Sequence, residues 1–352
     1  MKQQIQIVIP MAGFGSRLRP WTWSKPKPLI NMAGRTSLDY LLDEFRSLED
    51  AFELEYIFII SPTGWGIRTF MDQQYPGVSA RYVVQEEMKG QSHAIFLAKD
   101  LISGPMIMTF SDTIIDSDLS FLKNETADGV AWTQYNEQPQ RFGVAITDAK
   151  NRVERFIEKP PTDEFKQVIV GFYYFREGRD LIAAIDRQIR ENISLKNEYY
   201  IADALNIMIE QGANFTIAET GLWLDTGVPE TVFSSNRYFL AHGNDNSSAA
   251  QKRASVTVIE PVFVAEDAIV ENTVIGPYVS VASGAKIRNC VISNSIIAEN
   301  TTIENQVLKD SLVGAKVRLS GKEKSLFVGD NSVLELRSEE HTSELQSQPT
   351  IS

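Results

Sequence analysis

Ile5-Gln-Ile-Val-Ile-Pro10, running into Met11-Ala-Gly-Phe-Gly-Ser-Arg-Leu-Arg-Pro20, is the stretch on which the reading of the fold turns. Its first six residues are a short β-branched run, read as a buried strand. The rest is a glycine-rich loop. Gly13 and Gly15 let the backbone approach a phosphate closely and turn N–H groups toward it. Arg17 offers a planar fork to phosphate oxygens. Lys25-Pro-Lys-Pro28 adds positive charge on a stiff, extended backbone. Two better-known phosphate loops do not fit. A dinucleotide fingerprint needs a third glycine at position 18, which is Leu18, and the Gly-Lys-Ser/Thr ending of a P-loop is absent. A Gly-x-Gly pair alone reads as a tight turn. Arg17, Pro20 and Lys27 at these spacings change that assessment.

Outward from this loop, strand-like and helix-like patterns alternate over about the first 240 residues. Ser37–Leu48 places Leu38, Leu41, Leu42, Phe45 and Leu48 on one helical face, and Thr36 with Asp39 resembles a capping box. Strands are expected at Tyr56–Ile60, Ala80–Val84 and Pro105–Phe110, with a helix over Ser92–Leu101. This rhythm argues for an α/β fold with a parallel-centred sheet covered by helices. Further strands are expected at Val130–Tyr135, Gly143–Thr147, Val153–Ile157 and Val168–Phe175, and helices at Leu181–Ile189 and Tyr200–Glu210.

A different texture begins near Ser255. Val279, Ala285, Val291, Ile297 and Ile303 recur every six residues, Ile275, Val281 and Ile287 form a second series, and Val307, Val313 and Leu319 a third. Such a period, with turns rich in Gly, Asn, Ser and Asp, is the signature of a parallel β-helix of hexapeptide repeats. The expected organisation is an α/β domain over 1–240, a polar linker over 241–254 and a left-handed β-helix over 255–336. Arg337–Ser347 reads like the translation of a sequencing-library adapter, so 337–352 is set aside as a non-native tail.

Composition narrows the function. The 352 residues carry a formal net charge of −12, which repels the nucleic-acid backbone and argues against bulk DNA or RNA binding. A phosphate site must then be a local cationic cluster. The single cysteine, Cys290, allows no disulfide framework and suits a reducing cytoplasm. No run approaches the roughly 18 apolar residues of a membrane span.

Gly13, Gly15, Ser16, Arg17, Leu18, Pro20 and Lys27 resemble the opening signature of the sugar-1-phosphate nucleotidylyltransferases, and within them the glucose-1-phosphate thymidylyltransferase-like members. The resemblance runs from Ile5 to about Asn236, and many longer members append a hexapeptide-repeat β-helix. It implies a Rossmann-like nucleotidyltransferase domain with a mixed central sheet. It also implies an enzyme that joins a nucleoside triphosphate to a sugar 1-phosphate and releases pyrophosphate with Mg2+. Ala12, Gly13, Gly15 and Ser16 would then bind the nucleotide, and Arg17 and Lys27 would act on its phosphates. Gln85-Glu-Glu-Met-Lys-Gly90 resembles the segment whose Gln and Gly hold the nucleobase edge. Asp112, in Phe110-Ser-Asp-Thr113, resembles the family's metal ligand, with Asp225 in Trp223-Leu-Asp-Thr-Gly227 as the second. Arg141-Phe-Gly-Val144, Ile157-Glu-Lys-Pro160 and Val170-Gly-Phe-Tyr173 resemble the sugar-side strands, which makes Gly143, Glu158 and Gly171 sugar-site residues and Lys159 the holder of the sugar phosphate. Lys196 stands where many relatives carry Arg, and it keeps the charge but not the bidentate fork.

Two other readings compete. A β-helix that also acylates amino sugars would need a His base, and Ser255–Val333 contains none. A non-catalytic homologue would have lost the signature Arg or the metal Asp, yet Arg17, Asp112 and Asp225 are all present. Assembly into a homo-oligomer, or allosteric contact, is the expected role of the β-helix.

Overall fold

The computed structural model describes residues 2–322; the expected end of the β-helix at 323–336 and the tail at 337–352 lie outside them. The chain begins with β1 (Gln3–Pro10), which is buried on both faces. Ile5, Ile7 and Ile9 enter the apolar layer on one side of the sheet, and Val8 enters the layer on the other. Each such side chain, removed wholly from water, contributes about 2 kcal/mol. After β1 come the small hairpin β2 (Asn31–Met32) and β3 (Arg35–Thr36), helix α1 (Ser37–Asp43) and β4 (Phe52–Ile60). Helix α2 (Gly66–Gln74), β5 (Ser79–Val84), α3 (Gln91–Leu97) and β6 (Met106–Thr109) follow. Strands β1, β4, β5 and β6 run parallel to their neighbours among themselves.

Thr36 and Asp39 do form a reciprocal cap on α1. The expected single helix over Ser37–Leu48 instead tightens to a 3-10 turn at Glu44–Leu48. There the buried Glu44 Oε1 accepts from the Ile115 N–H at 2.7 Å, a tertiary contact that helix periodicity does not encode.

Next come β7 (Thr113–Asp116), β8 (Gly129–Tyr135), β9 (Gly143–Thr147), β10 (Val153–Glu158) and β11 (Gln167–Phe175). Helices α4 (Gly178–Arg190) and α5 (Ile201–Glu210) precede β12 (Phe215–Glu219), β13 (Leu222–Asp225) and α6 (Pro229–Ala241). Strand β11 pairs antiparallel with β6, so the nine-stranded sheet is mixed, as expected, with the path β10-β9-β11-β6-β1-β4-β5. Strand β13 pairs antiparallel with β7 in a separate two-stranded sheet.

From Val256 the short strands stack into three all-parallel sheets of four strands each, a parallel β-helix consistent with the left-handed form. Its first face is Val256–Val258, Thr273–Ile275, Val291–Ser293 and Val307–Lys309; its second is Val262–Val264, Val279–Val281, Ile296–Ile297 and Leu312–Val313. The third is Ile269–Glu271, Lys286–Arg288, Thr302–Glu304 and Arg318–Ser320. The strict sixfold register does not hold throughout. Val291 and Val307, expected inside, are 47% and 79% exposed. Ile292 and Leu308 pack inward instead. The physical reason lies in the corners. Val274 pairs with Val291, but Ile287 pairs with Ile303, so coils are shorter than three full hexapeptides. Asn272, Asn289, Asn294, Asn300 and Asn305 adopt the left-handed conformation at these corners, which Asn tolerates better than most residues. A ladder joins three of them: Asn272 Nδ2 donates to Asn289 Oδ1 at 3.3 Å, and Asn289 Nδ2 to Asn305 Oδ1 at 3.0 Å.

Residues 241–254, expected as a polar linker, are fastened to the first coil. Asn246 bonds both backbone groups of Val264, donating at 2.9 Å and accepting at 2.8 Å. Asp245 Oδ1 accepts from the Val262 N–H at 2.9 Å, and Ala250 is buried in the β-helix core. The polarity of Asn244-Asp-Asn-Ser-Ser248 serves these bonds rather than solvation. The α/β domain packs on the β-helix through an apolar cluster that includes Ile30, Tyr40, Phe239 and Ile296.

Candidate active site

Strands β1, β5 and β6 end at the same edge of the sheet, because they run in one direction. In open α/β sheets that edge is where ligands bind. The glycine loop leaves β1, Gln85 follows β5, and Asp112 follows β6. Three distant stretches of sequence therefore meet.

Within the glycine loop, Gly15 takes the left-handed conformation at φ 57°, and the Thr22 hydroxyl donates to its carbonyl at 2.8 Å. A 3-10 turn over Ser16–Leu18 buries Leu18 and leaves Arg17 exposed at the loop surface. A second 3-10 turn, Lys27–Leu29, presents Lys27, whose Nζ bonds Asp112 Oδ2.

The β7–β13 ladder brings the second carboxylate. Asp225 lies opposite Thr113 in register, and the Thr226 N–H donates to the Asp112 carbonyl at 3.0 Å. Burial pushes the Asp225 carboxyl above the usual carboxylate range, and the neighbouring Asp112 carboxylate adds to the shift. Lys27, the Gly227 N–H at 2.6 Å and Arg17 act in the opposite direction.

Of these groups, Arg17, Lys27, Asp112 and Gly227 line a cavity of about 480 Å³, and Asp225 is not among its lining residues. Gly13, Gly15, Ser16, Arg17, Lys27, Gln85, Gly90 and Asp112 all line it. Gly90 sits at φ 98°, ψ −178°, and a Cβ there would lie 2.5 Å from the Tyr199 nitrogen. Gln85 is 4% exposed, with its Nε2 3.5 Å from the Gly90 carbonyl. Phe14, Met88, Phe110, Glu198 and Gly227, none of them among the expected site residues, also line the cavity. Phe14 carries a signal in the sequence, an aromatic between Gly13 and Gly15, and in the structure it is 59% exposed. Glu198 closes the Lys196-Asn-Glu segment, where many relatives carry Arg-Gly-Glu, and the Glu of that motif is the signal that could have found it.

Ala12 is buried behind the loop. Gly143 and Glu158 face each other in the β9–β10 ladder, and a Cβ at 143 would come within 3.3 Å of Glu158 Oε2. Burial pushes the Glu158 carboxyl up, against the pull of Lys159. Lys159 Nζ lies 3.7 Å from Glu158 Oε1 and 5.3 Å from the centre of the Tyr200 ring. Gly171, at φ 84° in an irregular part of β11, accommodates Phe110: a Cβ there would lie 2.5 Å from Phe110 Cδ2. Phe110 thus lies against both the cavity and Gly171. Lys196 is exposed in the Leu195–Glu198 turn and does not line the cavity, although Glu198 of the same turn does.

The nucleotidyl transferase family model matches residues 7–241. The chain belongs to this family. It is 32% identical over 236 residues to the bifunctional protein GlmU of Methanococcus vannielii, a match covering 66% of this chain and 54% of that one. The chain therefore spans about half the length of that relative. It is 28% identical over 368 residues to the low-salt glycan biosynthesis nucleotidyltransferase Agl11 of Haloferax volcanii, covering 94% and 99% of the two chains. The UTP–glucose-1-phosphate uridylyltransferase AglF of the same organism is 28% identical over 237 residues, covering 64% of this chain and 93% of its own. Among the described residues no helix is long and apolar enough to cross a membrane.

Proposed function

We propose that this chain transfers a nucleoside monophosphate from UTP or dTTP to glucose 1-phosphate, giving the nucleotide sugar and pyrophosphate. The observation that carries the reading is the convergence of Arg17, Lys27 and Asp112 on one cavity, with Asp225 beside them. The similarity to AglF supports the choice of substrates.

Asp112 lies close enough to raise the Asp225 carboxyl, and two neighbouring carboxylates are a hard-oxygen donor pair that favours a cation between them. Among the described residues no set of three His, Cys, Asp or Glu side chains could hold a metal, so Asp112 and Asp225 would leave most positions to water and phosphate. That suits Mg2+, which prefers few protein ligands. Bound there, Mg2+ would neutralise phosphate oxygens of the triphosphate.

The chain's own residues do the rest. An oxygen of the sugar phosphate attacks the α-phosphorus, the bond to the β-phosphate oxygen breaks, and pyrophosphate leaves with that electron pair. The attacking oxygen is already anionic, so the obstacle is repulsion between polyanions rather than proton removal. Backbone N–H groups around Gly13–Ser16 and the guanidinium of Arg17 hold the triphosphate. Lys27 gives up its contact with Asp112 to stabilise the charge on the transferring and leaving phosphates. Gln85 and Gly90 hold the base edge, and Glu158 accepts from sugar hydroxyls over Gly143. Lys159 positions the attacking phosphate.

Pyrophosphate release over a grid of triphosphates and sugar 1-phosphates tests the proposal. Release with UTP or dTTP paired with glucose 1-phosphate is expected. A folded protein that releases none with any pair would end it.

A further inference from the structure

We infer that the β-helix is a positioning element of the active site: its second face seats the segment that carries Lys27, with Lys25, Glu299 and Trp21 as positioning residues. The inference rests on the reading of Lys27 as a phosphate-binding group and assigns the β-helix a part in that chemistry beyond assembly.

Three contacts carry it. Lys25 Nζ is paired with Glu299 Oε1, at a corner of the β-helix. Both side chains are about three-quarters removed from solvent. The other oxygen, Glu299 Oε2, is buried without a hydrogen-bond partner, so Lys25 is the charge that compensates this carboxylate. Trp21 lies on the Gly314 backbone, where a Cβ would come within 3.3 Å of the indole Cδ1. Ile30, at the far end of the segment, is buried in one apolar cluster with Ile296 of the second face, and Leu312 packs against that cluster.

The segment between these contacts is stiff. Pro26 and Pro28 flank Lys27, fix φ on both sides of it and cannot relax by new backbone donation. Pro26 is extended, at φ −55° and ψ 140°, and it alone stands between Lys25, whose ammonium is on Glu299, and Lys27, whose ammonium is on Asp112. A displacement at Lys25 is therefore passed to Lys27 instead of being absorbed between them. A misplacement of about 1 Å in a phosphate-binding group costs up to a hundredfold in rate.

The test uses the full chain with UTP and glucose 1-phosphate, or whichever pair gives the highest wild-type turnover. Glu299→Gln and Lys25→Met, assayed well below their melting temperatures, are each expected to lower kcat about tenfold with KM for the sugar phosphate within twofold; Lys25→Met, which leaves the Glu299 carboxylate uncompensated, should also melt lower. The double variant should be no worse than the weaker single one, and Lys25→Arg, which keeps the charge, should stay within threefold of wild type. Gly314→Leu, which displaces Trp21 from the β-helix side, should lower kcat in the same way. A merely structural pair would move the melting temperature and leave kcat alone, and that result overturns the inference. So does Lys27→Ala losing activity while the Glu299 and Lys25 variants retain full kcat, an outcome that spares the reading of Lys27. Full activity in Lys27→Ala overturns both.

Discussion

A single methyl group at position 90 should damage both stability and nucleotide binding. Gly90 sits at φ 98°, ψ −178°, a region that essentially only glycine occupies, and forcing alanine into it costs about 1–3 kcal/mol. The added Cβ would also lie 2.5 Å from the Tyr199 nitrogen and 2.7 Å from its carbonyl oxygen, both backbone atoms. Relief requires the two segments to separate. Two bonds hold them together, the Tyr199 N–H to the Lys89 carbonyl at 2.9 Å and the Ser92 N–H to the Tyr199 carbonyl at 3.0 Å. Each is worth about 1 kcal/mol. Together these terms come to about 4 kcal/mol, or a fall of about 10 °C in the melting temperature of the α/β domain. Because Gln85, Gly90 and Glu198 line one cavity, separation also moves the wall expected to hold the base. Gly90→Ala should raise the KM for the triphosphate about tenfold. Calorimetry and initial-rate kinetics measure both. A variant that melts within 2 °C of wild type with an unchanged KM refutes the close approach of Gly90 to Tyr199 and its place in the base site.

Two more perturbations probe the frame around the site. Gly34, at φ 84°, packs so tightly that a Cβ would lie 2.4 Å from the Phe263 ring of the β-helix. Gly34→Ala should cost about 3 kcal/mol through strain and overpacking and open 241–254 to limited proteolysis, and unchanged proteolysis would contradict this packing. Glu44 is held well above the ordinary glutamate value of 4.5, chiefly by burial, with the Ile115 N–H opposing. A carboxyl raised on folding stabilises most below its unfolded value and loses that contribution as pH rises through the folded one. Urea unfolding of the wild type should therefore weaken progressively above about pH 4.5, and Glu44→Gln should flatten that slope; an identical slope in both would place the titration elsewhere.

Much of the lining of the candidate site is legible because its parts are local. The glycine loop reads from Gly13, Gly15 and Arg17 within one turn of chain, and Asp112 from a strand end. What brings Asp225 to Asp112 is the antiparallel β7–β13 pairing, and periodicity says nothing about which short strands will pair across 100 residues of chain. The β-helix was visible in its repeat, yet the strict period put Val291 and Val307 inside. Corner residues such as Asn289 and Asn305 shorten the step, and a five-residue side changes which aliphatic residue faces inward. The Lys25–Glu299 pair spans 274 residues and leaves no local mark in either segment. The polarity of 241–254 suggested solvation because hydrogen bonds to a neighbouring coil and to water call for the same side chains.

The most direct measurement on the central claim is the turnover of Arg17→Ala, Asp112→Asn and Asp225→Asn beside wild type, with circular dichroism to establish folding. Each removes one clamp on the same polyphosphate and should lower kcat at least a hundredfold, about 3 kcal/mol of barrier, in a protein with an unchanged spectrum. Near-normal turnover in any of the three would contradict the convergence of these groups on one bound nucleotide.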